Sequence, residues 1–421
     1  MTKKKIFTIS DSPLAPSGVG IQARNFIEGL LKTGRYTVSS FAGAIRHPNY
    51  QPIKTEEYED DWVIYPVNDF GDPQQVRSML MMEKPDLLWF MTDPRFYVWL
   101  WDIAPEIRER IPMVYYSVWD NYPYPVFNRK FYNSTDILVS MSEVTKDIHS
   151  IVSPSVEQFH IPLSVDTGLF VKATAEEDLV TLKAERDKIT QGKDKVVFFW
   201  NNRNARRKQG ATLILWFKNL LEKIGKDKAV LLLHTNPKDQ FGSDLEALIS
   251  YYNLDDGSVV FHIEQMPQAS MPVLYNMCDC TINISDAEGV GMSTIESMSC
   301  SRPIITTLTG GLQEQVKDGD IQCGIGIPVA TKTLTGTQEI PFIFEDRISE
   351  EGFQKAMIQM IEMSKEEREK MGDNGRNYVL KKYALDIYQK EWIKTIDAVC
   401  EKYGSWSTRQ YYKNWTFEEI K

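Results

Sequence analysis

Residues Ile282 to Val316 run INISDAEGVGMSTIESMSCSRPIITTLTGGLQEQV. The apolar run from Cys280 to Ile284 ends in Ser285 and Asp286, as a buried strand does on leaving a sheet. Glu288-Gly289-Val290-Gly291 then make a turn with two glycines, and Met292–Cys300 has the pattern of a helix carrying Glu296. Pro303–Thr307 reads as the next strand, and Gly310-Gly311 opens another helix start. One acid thus sits on a loop, and a second lies about two helical turns further on. Glycines between them allow close approach of a ligand to the backbone, and the N–H groups of a helix start face an anion. One carboxylate for sugar hydroxyls, amides for phosphate and a second carboxylate for ribose hydroxyls would suit a sugar diphosphate. The plainer alternative is a loop followed by an amphipathic helix with a solvated glutamate.

On either side of this stretch, strands alternate with helices. The patterns at Lys5–Ser10, Tyr36–Phe41, Trp62–Val67, Asp86–Met91, Met113–Val118 and Ile137–Met141 predict strands, with helices at Val19–Leu31, Pro73–Met82, Phe96–Arg110 and Glu143–Val152. The order repeats with strands at Val196–Trp200, Ala229–His234, Val259–Ile263, Thr281–Ile284 and Pro303–Thr307. Helices are expected at Thr212–Ile224, Asp244–Tyr252, Met271–Met277 and Gly291–Cys300. Such alternation implies parallel sheets covered on both faces. Ligands bind at the carboxyl ends of the strands of such sheets. Several helices are expected from Glu350 on, with Trp392 in the last long one, followed by an aromatic tail containing Trp406, Tyr411, Tyr412, Trp415 and Phe417. That tail is expected to pack on the first domain.

The 421 residues suffice for two or three domains, with 42% hydrophobic and 25% charged residues. No run is long and apolar enough for a membrane-spanning helix. Met1–Ser10 looks like a first strand rather than a signal peptide. Five cysteines in no paired pattern favour a reducing, cytoplasmic setting. Asn133, Asn283 and Asn414 begin glycosylation tripeptides, which chance explains. A net charge of -10 argues against a general nucleic-acid coat or an anionic membrane surface.

Gly18-Val19-Gly20-Ile21-Gln22-Ala23 matches a dinucleotide fingerprint, but the glycines come too late after Ser10, and the second strand ends in Ala-Gly-Ala without an acid. Gly18 and Gly20 are taken instead as a loop that admits a ligand or acceptor, with a purely structural helix start as the equal alternative. Arg203, Arg206, Arg207 and Lys208 crowd four cations just past a strand end, suited to a diphosphate leaving group. The alternative is a solvated basic loop. Asp120, in Trp119-Asp120-Asn121-Tyr122, either touches the transferred sugar or acceptor, or caps a turn. Tyr122–Tyr132 mixes aromatics with Arg129 and Lys130, a composition able to grip an acceptor, including a nucleic-acid base. Asp318-Gly319-Asp320 is taken as a turn, and no metal site is inferred. The five histidines show no HExxH spacing, and no GxSxG elbow occurs.

Jointly these features resemble glycosyltransferase family 4, retaining enzymes of the GT-B fold. The resemblance covers most of the chain. It rests on Ser17–Gly20, Pro162–Phe170, the Arg203-x4-Lys208 pair, Met271–Asp279, the Glu288-x7-Glu296 pair, Pro303–Glu314 and Arg376–Tyr383. It implies two Rossmann-like α/β/α domains facing across a cleft, with a C-terminal helix crossing back to the first. Residues 1–165, joined by 396–421, would form an acceptor-side domain, and 166–395 the donor-binding domain. It also implies roles. Glu288, with amides of Gly289, Val290, Gly291 and Met292, would hold the donor sugar, Glu296 the ribose, and Arg203 and Lys208 the diphosphate. The reaction would transfer a hexose or pentose from a UDP- or GDP-linked donor to an acceptor hydroxyl, with retention and without a metal or other cofactor. The acceptor could be a glycan, a lipid, a small molecule or a modified DNA base.

Two departures stand out. Many members carry a cleft histidine where this chain offers Asp120, and a glycine where it has Trp200-Asn201-Asn202 before Arg203. Competing readings are a nucleotide-sugar epimerase or phosphorylase of the same fold, and a non-catalytic sugar-nucleotide binding module. A narrower acceptor reading is a phage-type enzyme that modifies a hydroxymethylated DNA base.

Overall fold

The computed structural model describes residues 3–413, so Asn414, Trp415 and Phe417 lie outside the described residues. The chain divides into two compact units. Of the described residues, the first takes 3–164, Gln338–Pro341 and 385–413; the second takes Val165–Thr337 and Phe342–Ala384.

The first unit is built on an eight-stranded sheet in the order Ile53–Lys54, Trp62–Pro66, Tyr36–Gly43, Lys4–Asp11, Leu87–Thr92, Met113–Ser117, Ile137–Ser140, Glu157–His160. All neighbours pair in parallel except the short antiparallel edge strand Ile53–Lys54. Every residue of the central strands Leu87–Thr92 and Met113–Ser117 is buried, as expected where helices cover both faces. The second unit carries a six-stranded, wholly parallel sheet in the order Val259–His262, Ala229–His234, Val196–Asn201, Cys280–Asn283, Ile304–Thr307, Gly324–Ile327. In both sheets the order reverses beside the first strand, the doubly wound Rossmann arrangement.

The helix Leu385–Tyr403 belongs to the first unit. The crossing therefore falls at Ala384/Leu385 rather than at residue 395. Leu385–Tyr403 is one helix, and its whole apolar face is needed there. Trp392 is fully buried and packs edge-on against Phe26, Trp89 and Tyr116. Its close neighbour is the helix Gly18–Leu31, where a Cβ on Gly29 would lie 2.7 Å from Gln389. Beyond this helix, Arg409 Nη2 donates to Asp136 at 2.8 Å, and the Arg108 guanidinium lies over the Tyr412 ring at 4.7 Å. The tail is thus fixed to its own unit by a buried charge as well as by rings.

The expected helix Phe96–Arg110 is broken into a 3-10 turn Pro94–Tyr97 and two short helices, Val98–Asp102 and Ala104–Arg108. Pro105 has no N–H to donate and its ring collides with the carbonyl one turn back, so the helix restarts there. Several elements had no counterpart in the sequence reading, besides the edge strand Ile53–Lys54. They are the strands Glu157–His160 and Gly324–Ile327 and the antiparallel hairpin Thr331–Thr335/Ile343–Arg347. Asp318-Gly319-Asp320 is a hairpin turn, with Gly319 at φ 61° and Asp318 paired to Lys381 at 2.6 Å. No helix among the described residues is long and apolar enough to cross a membrane.

Candidate active site

In the second unit, Val196–Asn201 and Cys280–Asn283 are hydrogen-bonded neighbours on either side of the point where strand order reverses. The basic loop leaves the first, and the glutamate loop leaves the second. Their carboxyl ends therefore open side by side at the place where such sheets bind ligands.

The basic loop is held from beneath. Asn204 is buried, and its amide donates to the carbonyls of Pro237 and Ser243 at 3.1 and 2.7 Å. A Cβ at Gly242 would lie 2.2 Å from the Asn204 backbone oxygen, so only glycine permits this approach. The loop ends in a 3-10 turn, Arg206–Lys208, and Gln209 adopts a left-handed φ of 60°. That conformation costs a non-glycine residue about 1 kcal/mol. It is offset by the Gln209 amide, which bonds Asp286 Oδ2 at 2.8 Å and the Arg206 carbonyl at 3.1 Å. The Asp286 N–H donates to the Arg207 carbonyl at 2.9 Å, which ties the two loops together.

The glutamate loop is held from above. The Gly311 N–H donates to the Glu288 carbonyl at 3.0 Å. Cβ atoms at Gly310 and Gly311 would lie 2.0 and 2.1 Å from the carbonyl oxygens of Glu288 and Gly289. Gln315 accepts from Thr294 Oγ1 at 2.5 Å and donates to the Val290 carbonyl. Gly291, at φ 82°, turns the chain into the helix Met292–Ser299. Gly310-Gly311 opens a 3-10 helix, Gly310–Glu314, whose tight contact fixes the Glu288–Gly291 backbone.

All four cations of the basic loop have acidic partners. Lys208 is ion-paired with Glu288, and both side chains are almost wholly buried. Arg207 lies 3.7 Å from the same carboxylate oxygen and donates to the Ala287 carbonyl at 2.7 Å. Arg206 pairs with Glu345, and Arg203 with Asp239 at 2.7 Å, its guanidinium over the Phe241 ring. The structure thus brings Lys208 to Glu288, while Arg203 is turned toward Asp239. Arg207 takes the place beside Glu288. Sequence reading counted Arg207 in the cation run but gave the diphosphate to Arg203 and Lys208.

Two further acids are strongly perturbed. Asp286, almost fully buried, is pushed up to about 6 by burial, against the opposing pull of Arg347 at 3.2 Å and the Gln209 bond. Glu296 is raised to about 7 by burial, opposed by the Tyr275 hydroxyl, which donates to its Oε2 at 2.6 Å. Perturbed carboxylates gathered at the carboxyl end of one sheet make this a candidate functional site. Asp286 could have been noticed as the strand-end acid two positions before Glu288. Glu345 and Arg347 carried no sequence signal, because their hairpin was not foreseen.

The remaining candidates lie in the first unit. Gly18 and Gly20 open the helix Gly18–Leu31, whose first turn is capped by Ser17 Oγ accepting from the Gly20 N–H at 3.0 Å. A Cβ at Gly20 would lie 2.6 Å from the Ser12 carbonyl, so this glycine is required by the packing of its own loop. Asp120 is half-buried just past Met113–Ser117. Tyr122 and Tyr124 both donate to Asp147 Oδ2, at 2.7 and 2.9 Å, which orients the aromatic run.

Residues 183–378 match the family described as "Glycosyl transferases group 1". One curated relative, N-acetyl-alpha-D-glucosaminyl L-malate synthase of Bacillus anthracis, is 23% identical over 235 residues, which span 56% of this chain and 57% of that protein. Sucrose-phosphate synthase from Thermosynechococcus elongatus superposes with a TM-score of 0.74 at 16% identity, covering 95% of this chain and all of that one (100%). Anabaena HepE, solved in complex with UDP and glucose, gives 0.68 at 15% identity, covering 94% and 100%. With two Rossmann-like units and these likenesses, the chain has the GT-B fold, and its residues 183–378 match the group 1 glycosyl transferases.

Proposed function

We propose that the chain is a retaining glycosyltransferase that moves a sugar from a nucleoside-diphosphate sugar to an acceptor hydroxyl, without a metal. The observation that carries this is the meeting of Lys208 and Arg207 with Glu288 at the reversal of the second sheet, with Glu296 on the helix that the Glu288 loop opens into. When the bond from the anomeric carbon to the diphosphate oxygen breaks, negative charge grows on the diphosphate. Lys208 and Arg207 are positioned to stabilise that charge, and Arg203 joins them on release from Asp239. An anion arriving at Lys208 displaces Glu288, which turns to the sugar hydroxyls. Glu296 accepts from the ribose hydroxyls. Loss of the leaving group and attack on the same face retain configuration, with the departing phosphate taking the acceptor proton.

The nucleobase is assigned to the neighbouring cavity of about 370 Å³ lined by His234, Thr235, Asn236, Ile263 and Gln265. The basic loop is laced to the wall of this cavity through Asn204 and the Pro237 carbonyl. UDP is the first candidate, supported by its presence in the Anabaena HepE complex. Free cysteines, four of them buried, are consistent with a cytoplasmic enzyme. The acceptor is chosen by the first unit, around Asp120 and the Tyr122–Tyr132 run.

The test is a thermal-shift screen of UDP- and GDP-sugars against the full chain. A ligand at a hundred times its Kd adds about 2.7 kcal/mol of stability. No shift with any donor would overturn the reading. Release of nucleoside diphosphate that requires an acceptor separates transferase from epimerase, phosphorylase and binding module. Duplex DNA containing hydroxymethylated bases, offered as acceptor, decides the narrower DNA reading.

A further inference from the structure

The Trp200-Asn201-Asn202 departure from the family pattern has a structural counterpart. Asn201 ends the first strand of the second sheet, and its Nδ2 donates to the Tyr275 hydroxyl at 2.9 Å. Tyr275 comes from the helix Met271–Met277 and is fully buried, edge-on to Phe199 at 5.2 Å and to Phe170 at 5.9 Å. A phenol has a single proton. Because the Asn201 amide occupies the oxygen as a donor, that proton is directed to Glu296 Oε2, 2.6 Å away. Glu296 Oε1 has no protein partner among the described residues.

We infer that Tyr275, locked by Asn201, is a positioning residue that holds Glu296 as an oriented carboxylate with one oxygen left for the ribose hydroxyls. This inference rests on the donor-site reading above. The argument is one of competing effects. Burial favours the neutral acid, and a charge-assisted hydrogen bond to one oxygen favours the anion. The anion keeps Oε1 purely an acceptor for a ribose diol, whereas a proton on that oxygen would turn it into a donor. The other titratable groups around Glu296 do not supply that bias. Cys300 is on its own helix, and Cys280 lies in the strand Cys280–Asn283. Arg376, from the helix Lys365–Lys382, donates to the backbone carbonyls of Ser299 and Phe170. The strand Ile304–Thr307 presents no charge.

The experiment compares the wild-type chain, Tyr275→Phe and Asn201→Ala by calorimetry with UDP, GDP and inorganic pyrophosphate between pH 6 and 9. For the wild type, nucleotide affinity should rise with pH through about 7, the value burial gives Glu296. Tyr275→Phe should bind nucleotide about tenfold more weakly at pH 7, with the rise displaced to higher pH and affinity largely restored at pH 9. Asn201→Ala should move the same way by less. Pyrophosphate, which lacks the ribose, should bind all three proteins alike. An unchanged pH midpoint in Tyr275→Phe, or an equal loss with pyrophosphate, overturns the inference while leaving the donor site standing. Failure of the wild type to bind any nucleotide overturns both. A ligand-free measurement stands beside these. Carbon-13 NMR of the Glu296 carboxyl should titrate at higher pH in Tyr275→Phe, and an unmoved titration overturns the inference regardless of ligand.

Discussion

Lys208 and Glu288, on loops from two adjacent strands, neutralise each other with side chains only 10% and 12% exposed. A buried ammonium left without a partner is costly, so the pair is the resting form of the loop. It also places a carboxylate where the proposed diphosphate would sit. Donor binding is then an exchange of anions at one cation.

That exchange gives opposite signs for the two partners. Lys208→Ala should lower kcat/KM by about a hundredfold, since one charged group facing the leaving diphosphate is worth about 2.7 kcal/mol. Glu288→Gln should bind free nucleoside diphosphate several-fold more tightly than wild type while losing turnover with the sugar-bearing donor. Calorimetry with UDP and GDP, alongside steady-state release of diphosphate, measures both. Weaker diphosphate binding by Glu288→Gln contradicts the exchange.

The glycine contact above the loop should be equally visible. Gly311→Ala places a methyl 2.1 Å from the Gly289 oxygen, so the Glu288–Gly291 backbone must retreat. Overpacking of this kind costs about 1–3 kcal/mol. The expected result is a modest drop in Tm and a disproportionate loss of donor affinity, compared by melting and by titration of the same sample.

Glu296 supplies a test with a worked sign. Its folded value of about 7 lies above the ordinary glutamate value of 4.5, so between the two the folded chain keeps a proton that the unfolded chain releases. Stability from this group is therefore lost as pH climbs from about 4.5 to about 7 and is flat above. Glu296→Gln removes that dependence. Its Tm should equal wild type near pH 4.5 and exceed it at pH 8, while nucleotide affinity falls. A Tm below wild type at pH 8 would contradict the assignment.

In the first unit, Arg409→Ala should leave Asp136, 3% exposed, with Arg108 as its remaining cation. A loss of about 1–3 kcal/mol is expected, short of the full cost of an orphaned buried charge. Denaturant titration of the first unit's tryptophan fluorescence would report it.

Alternation of apolar strands and helices made both sheets legible, because parallel strands buried on two faces announce themselves as short apolar runs. Glu288, Arg203 and Lys208 were legible as charges just past strand ends, and Glu296 as an acid on the helix that follows. What stayed hidden depends on contacts distant in sequence. Tyr275 looked like one more apolar helix residue, and its hydroxyl gains meaning only where Asn201 and Glu296 meet it. Gly310-Gly311 looked like a turn, and its tight fit to the Glu288 loop is a property of folded backbone. Arg203 and Arg207 could not be ranked without knowing that Asp239 stands beside one and Glu288 beside the other.

The helix around Trp392 also sets an order of assembly. Residues 3–164 leave a ribosome before Trp392 does, so Phe26, Trp89 and Tyr116 lack its edge-on contact until then. The second unit, drawn from the stretch between, is synthesised whole before that moment. The nascent chain can therefore finish its later unit while the earlier one still exposes an aromatic face. A chain truncated after Ala384 should keep a protease-resistant second unit and a first unit that proteases cut.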